Sequence, residues 1–388
     1  MQSSRNETPG EPPAGDNEAS GKALRRGWTT GACATAAAKA ACTALLTGDF
    51  PDPVTITLPK GQQPSFALAV EERGSGWAMA GVVKDAGDDP DVTHGALIRS
   101  RVWHGAEGSG VTFRAGPGVG TVTREGLPVQ VGEPAINPVP RQMMTEAVTE
   151  VCKAAGRAPD IVVEVSVEHG EKLAAKTLNG RLGIVGGLSI LGTTGIVVPY
   201  SCASWIASIH RGIDVSRAAG LNHVAASTGD TSEKAAARLH GLPETALLDM
   251  GDFVGGTLKY LAKHPVPRLT LAGGFAKFSK LAKGRLDLHS KRHAVDLDWL
   301  AARADALGGT AETVAAIRQA NTAMQALALA EEAGLPLAQD IAARAQEAAL
   351  ATLGPESGMA VEVLVVARDG RIVATAPWKQ VHSMPPLG

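Results

Sequence analysis

The chain has 388 residues, 37 Lys and Arg against 39 Asp and Glu, and four cysteines at positions 33, 42, 152 and 202. That length sets an expectation of two domains, each able to bury its own core. The near-neutral balance argues against a general nucleic-acid footprint, and cysteines so far apart, without CxxC spacing, argue against a disulfide framework or structural zinc and fit a reducing cytoplasm.

Residues 1–21 are rich in Pro, Gly, Glu, Asn and Ser with no apolar run, so a disordered tail is expected and not a secretory signal. Next comes Arg25-Arg26, then Thr29 and Thr30 ahead of an alanine-rich helix over 34–46. Either threonine can cap that helix. Exposed amides plus two guanidinium groups would make an anion site. An ordinary capped helix with solvated arginines is the alternative, and spacing alone favours it.

From 54 to about 131 short β runs alternate with turn signals: 54–58, 65–71, 77–83, 95–102, 111–115 and 120–123. The turn Lys84-Asp-Ala-Gly-Asp-Asp-Pro-Asp91 has four carboxylates but neither the closing Glu nor the helices of an EF-hand, so it reads as a solvated acidic turn. Gly116-Pro-Gly-Val-Gly120 is followed by strand, not helix, and reads as a tight turn instead of a dinucleotide fingerprint. A helix over 140–155 and a strand over 161–167 follow, and Glu168-His-Gly-Glu171 reads as a solvated turn.

Residues 182–198 are apolar but hold five glycines, too glycine-rich for a bilayer span. That glycine density implies close approach of backbone to backbone or to ligand. The domain junction is placed here: 22–195 as an α+β domain with a mixed sheet, 196–388 as an α/β domain with a mostly parallel, Rossmann-like sheet. A helix over 200–210 opens the second.

Three strand–turn–helix units come next: 223–228 with 229–239, 246–250 with 251–262, and 268–272 with 273–282. Strands alternating with amphipathic helices predict a parallel sheet with ligands beyond its carboxyl edge. The turns Ser227-Thr-Gly-Asp230, Met250-Gly-Asp-Phe253 and Ala272-Gly-Gly274 would crowd that edge and form a small-molecule site. Asp230 and Asp252 each follow a glycine there, where a carboxylate can accept ribose hydroxyls or simply cap a helix. Lys277, Lys280, Lys283, Arg285, Lys291 and Arg292, with His289 and His293, make a local positive field suited to a polyanion. Alanine-rich helices occupy the region past 300, and Asp369-Gly370 between two β runs predicts a hairpin.

Several long strings resemble the cobalt-precorrin-5B C1-methyltransferase family of anaerobic cobalamin biosynthesis. They are Arg26-Gly-Trp-Thr-Thr-Gly-Ala-Cys33, Lys84–Asp91 as quoted, Gly132-Glu-Pro-Ala-Ile-Asn-Pro-Val-Pro-Arg141 and Gly186-Gly-Leu-Ser-Ile-Leu-Gly-Thr-Thr-Gly-Ile-Val197, with Ala272-Gly-Gly-Phe-Ala-Lys-Phe-Ser-Lys-Leu-Ala282 and Asp287-Leu-His-Ser290. Val198 and Tyr200 stand where that family often has an acidic residue and a methionine, and Gly180 where it often has proline.

The resemblance implies methyl transfer from S-adenosylmethionine to C1 of a cobalt-bearing tetrapyrrole, the cobalt belonging to the substrate. Donor-site candidates are then Thr228, Gly229, Asp230, Gly251, Asp252, Gly273 and Gly274. Acceptor-site candidates are Arg25, Arg26, Thr29, Thr30, Thr193, Thr194, Lys280, Arg285, His289 and Lys291. No catalytic side chain and no protein-bound metal are assigned. The expected partner is the small tetrapyrrole, with neither nucleic acid nor membrane, and homo-oligomerisation stays open. A nicotinamide-dependent reductase of such tetrapyrroles and a non-catalytic carrier remain alternatives.

Overall fold

The computed structural model describes residues 24–290 and 292–380. The expectations for the tail and for Lys291 lie outside the described residues.

The fold is mixed α/β, built on two five-stranded sheets. Helix α1 (Thr30–Thr47) starts where Thr29 accepts from the Ala32 amide and stops at Gly48, φ 94°. Its alanines let it sit buried on nearly all sides, between the first sheet and α2 (Pro138–Ala154). Ser100 Oγ donates to the α1 carbonyl of Ala34 at 2.9 Å, a contact only a small-residue helix permits.

That sheet contains β1 (Val70–Gly74), β2 (Trp77–Val83), β3 (Leu97–His104), β4 (Val111–Ala115) and β5 (Ile161–Val167), in the order β1-β2-β3-β5-β4. All neighbours are antiparallel except β5 and β4. The alternation of Ala78, Ala80 and Val82 puts one face of β2 under α1.

The glycine-rich segments pack against the protein's own backbone. A Cβ on Gly187 would lie 2.3 Å from Gly118, and one on Gly118 (φ 79°) would lie 2.0 Å from the Val167 carbonyl oxygen. Residues 116–120 are therefore a turn between strands, as the missing helix implied. Residues 182–198 form only two-residue strands, pairing Gly187–Leu188 with Gly118–Val119 and Ile196–Val197 with Gly27–Trp28.

Helix α3 (Cys202–Ala218) begins later than expected and runs further. Tyr200 sits at φ 55°, outside helical space, and Ser201 caps by accepting from the Ser204 amide. The second sheet then follows: β6 (His223–Ser227), α4 (Asp230–His240), β7 (Leu247–Asp249), α5 (Val254–Lys263), β8 (Arg268–Gly273) and α6 (Phe275–Ala282). Four helices, α7 (Leu297–Ala306), α8 (Ala311–Arg318), α9 (Ala323–Glu332) and α10 (Leu337–Leu353), precede β9 (Ala360–Val366) and β10 (Ile372–Gln380).

The strand order is β7-β6-β8-β9-β10, parallel except for the β9–β10 hairpin. Val224, Ala226, Leu269, Leu271 and Val363 face α3, α5, α6 and α10. Ala225, Ala272 and Leu364 face α4 on the other side. The connection from β6 thus crosses one face of the sheet and the connection from β8 the other.

Candidate functional site

Between β6 and β8 the chain leaves the sheet in opposite directions, and at such a switch point open α/β sheets take their ligands in the crevice beyond the carboxyl ends of the strands. Helices α4 and α6 begin at Gly229 and Gly274, and neither has a side-chain cap, so their first amides are free to bind. A Cβ on Gly229 would meet nothing within 4 Å, whereas one on Gly273 would come within 2.8 Å of Thr228 and Phe278. Gly229 leaves space at the crevice, and Gly273 is required by packing.

Two buried polar atoms at this edge lack a hydrogen-bond partner: Ser227 Oγ and Asp252 Oδ1. Ser227 is 1% exposed, so its hydroxyl has lost water without replacement. Asp252 Oδ1 lies 3.1 Å from Lys277 Nζ, but that ammonium donates to the Thr228 carbonyl at 2.9 Å. Asp249 ends β7 opposite Ser227, and burial with Glu233 nearby raises its carboxyl above the ordinary value. Glu233 is itself held in a two-pronged ion pair by Arg181, at 2.7 and 2.8 Å. Asp230, by contrast, points outward: its side chain is 74% exposed and pairs with Lys234 four residues on. The structure therefore brings Thr228, Gly251, Asp252, Gly273 and Gly274 to one edge but turns the Asp230 carboxylate to solvent.

The basic cluster divides. Lys280 is buried and donates to the Leu288 carbonyl at 2.8 Å, and burial lowers its pKa even with Asp252 near. It is a strut between α6 and the following loop, not an exposed clamp. Lys283 pairs with Asp296, and Arg292 pairs with Asp287 at 2.9 Å. Lys283, Asp296 and Arg292, with Arg285, His293 and Trp299, line a cavity of about 210 Å³. Arg285 and His289 are exposed.

The remaining acceptor candidates gather around the start of α1, apart from that cluster. Arg25 grips the Asp85 carboxylate with both guanidinium nitrogens, which pulls Asp85 down to about 2. The exposed Arg26 follows it. Thr29 caps α1 and Thr30 Oγ1 accepts from the Leu191 amide, both threonines being buried. Thr194 bonds to its own loop at Ile196, and only Thr193 of this pair is exposed. The acidic turn is solvated in part, with Asp88 exposed, yet its carboxylates are engaged. Asp88 accepts from Arg25, Asp89 from the Tyr200 amide, and Asp91 from Lys84 and Thr93.

The CbiD family matches residues 17–199, and the CbiD C-terminal domain matches residues 287–377. A Paramagnetospirillum magneticum protein named cobalt-precorrin-5B C(1)-methyltransferase is 61% identical over 356 residues, covering 92% of this chain and 99% of its own. The chain belongs to the CbiD family. A Rhodospirillum rubrum relative of the same name is also 61% identical, with 92% and 99% coverage, and one from Halorhodospira halophila is 57% identical, with 93% and 97%. The crystal structure of the CbiD cobalamin biosynthesis protein from Archaeoglobus fulgidus is 29% identical, with TM-score 0.38, covering 69% of this chain and 83% of that one.

Within this CbiD chain, sequence reasoning passed over Trp205, Asp249 and Arg181. Trp205 Nε1 donates to the Asp249 carbonyl at 3.0 Å, and its ring sits over Gly251 at the crevice edge. The available signal was a tryptophan in the exposed first turn of a helix directly after the glycine-rich segment, in a chain with only 4% aromatic residues.

Proposed function

We infer that this chain is a methyltransferase acting at C1 of cobalt-precorrin-5B, with S-adenosylmethionine as methyl donor. The observation that carries the reading is identity near 60% across nine-tenths of the chain with relatives bearing that name.

The crevice has the donor set a nucleoside needs. Ser227 Oγ, buried without a hydrogen-bond partner, and Asp252 Oδ1, buried with only the Lys277 ion pair, would take up hydroxyl or amino groups, and the uncapped amides at Gly229 and Gly274 would receive a carboxylate. Bound there, the sulfonium supplies an electrophilic methyl. The ring carbon contributes the electron pair of the new C–C bond, and the sulfur keeps the pair of the bond that breaks. Such a displacement depends chiefly on alignment and exclusion of water, which rigid turns on a parallel sheet provide. The acceptor would lie along the seam between an N-terminal α+β domain (22–195) and a Rossmann-like C-terminal domain (196–388). Arg285 and the cavity beside it offer charge to the carboxylate arms.

The test is incubation with S-adenosylmethionine and cobalt-precorrin-5B. A product heavier by one methylene, formed with equimolar S-adenosylhomocysteine, is expected. Consumption of the acceptor without that product would overturn the reading.

A further inference from the structure

Trp205 is fixed on one side and open on the other. Its Nε1 is tied to the Asp249 carbonyl at 3.0 Å. Phe253 lies against it, with ring centroids 6.0 Å apart at 49°. Gly251 sits beneath the ring at φ 56°, where a Cβ would stand 3.3 Å from the indole. A side chain at position 251 would therefore displace the ring as well as strain the backbone. Even so, Trp205 is 45% exposed.

Five residues earlier Tyr200 is 59% exposed. It adopts φ 55°, a conformation a non-glycine residue enters at a cost, with its amide held at 2.8 Å by Asp89 of the acidic turn. The segment Tyr200–Trp205 is thus anchored at one end to the first half of the molecule and at the other to the second sheet. Tyr200 and Trp205 are two large aromatics exposed within one six-residue segment, and exposed aromatic surface of that kind marks a place a ligand can cover.

We propose that the open face of Trp205 is the stacking platform for the acceptor's tetrapyrrole ring, and that Trp205 positions the ring carbon against the donor crevice. This rests on the methyltransferase reading. Strand order distinguishes ring from adenine. The crevice lies between β6 and β8, whereas Trp205 is fastened to β7, the outer strand one spacing of about 4.8 Å beyond β6. On this reading a nucleoside held at Ser227, Gly229 and Gly274 lies between β6 and β8, and the open indole face beyond β6 is left to the acceptor.

The experiment compares the parent with Trp205→Ala and Trp205→Phe in steady-state methyl transfer, varying acceptor and donor separately. Trp205→Ala should raise the acceptor KM about tenfold or more, the worth of one lost stacking partner. Donor KM should be unchanged, and Trp205→Phe should recover most of the loss. Acceptor should also quench indole fluorescence in the parent far more than in Trp205→Phe, a readout that stands even if the alanine variant fails to fold. An unchanged acceptor KM in Trp205→Ala, a rise confined to the donor KM, or equal quenching in parent and Trp205→Phe would overturn the proposal. A parent that makes no methylated product at all would instead refute the methyltransferase reading.

Discussion

The loops around the start of α1 and the carboxyl edge of the second sheet are both glycine-rich and charged, yet they use their polar groups in opposite ways. Around α1 nearly every polar group has a protein partner: Arg25 with Asp85, Thr30 with Leu191, Lys84 with Asp91. At the second edge the buried Ser227 hydroxyl has none, and the buried Asp252 Oδ1 has no hydrogen-bond donor beyond its ion pair with Lys277 at 3.1 Å. A satisfied network fixes shape, and an unsatisfied one stores affinity for whatever completes it. The strings around α1 thus build scaffold, whereas the turns ending β6 and β7 keep buried oxygens with few or no protein partners.

The strongest test of the scaffold half is Asp91→Ala. The Lys84 side chain is 1% exposed and 2.7 Å from Asp91. Burial alone would raise the Asp91 carboxyl, but Lys84 and Thr93 outweigh it and hold it below the ordinary value. Removing Asp91 leaves an ammonium buried without a counter-charge, so a loss of about 3–5 kcal/mol in denaturant unfolding is expected. Lys84→Met added to it should recover most of that loss. A single variant as stable as the parent would break the comparison from the scaffold side.

Next in size is the binding half. Asp252→Ala should weaken S-adenosylhomocysteine by about ten- to a hundredfold in calorimetry, the worth of a shielded charge-assisted contact. Asp230→Ala should change it far less, because that carboxylate is in water beside Lys234. Equal effects from the two would show that exposure does not sort these positions.

A smaller effect sharpens the contrast within the second sheet itself. At its opposite edge His223 meets Thr270 at 2.8 Å, Thr270 donates to Glu362 at 3.0 Å, and His240 lies 2.6 Å from the same Glu362 oxygen. Burial, with His240 and Arg268 nearby, pulls His223 from 6.5 down to about 4. The folded chain then binds fewer protons than the unfolded one between those values. This contribution is complete above pH 6.5 and is lost as pH falls towards 4. His223→Asn should flatten the fall in stability across that window and leave donor affinity unaltered.

What could be read from sequence follows the range of the interactions involved. The three strand–turn–helix units were legible because apolar run, glycine and 3.6-residue period are local signals, and the hairpin at Asp369-Gly370 was for the same reason. Residues 182–198 were not, because their two-residue strands pair with partners as distant as Gly27. The setting of Trp205 depends on a carbonyl 44 residues away, and no period or motif encodes that. The basic cluster was visible as composition, but charge counts do not reveal that Lys280 turns inward to Leu288.

Arg25 gives the smallest expected effect and the sharpest discrimination. In sequence it stands as a guanidinium free to meet a carboxylate arm, and in the fold both its terminal nitrogens are engaged by Asp85. A guanidinium already paired gains little from a second carboxylate, and an exposed ion pair contributes little to stability. Arg25→Gln should therefore leave both the acceptor KM and the unfolding midpoint close to the parent, while Arg285→Gln, beside the open cavity, should raise the acceptor KM. Steady-state kinetics on the two variants decides it. A large rise in acceptor KM for Arg25→Gln would mean that Asp85 surrenders the arginine when substrate arrives, and that the α1 loops belong to the binding surface after all.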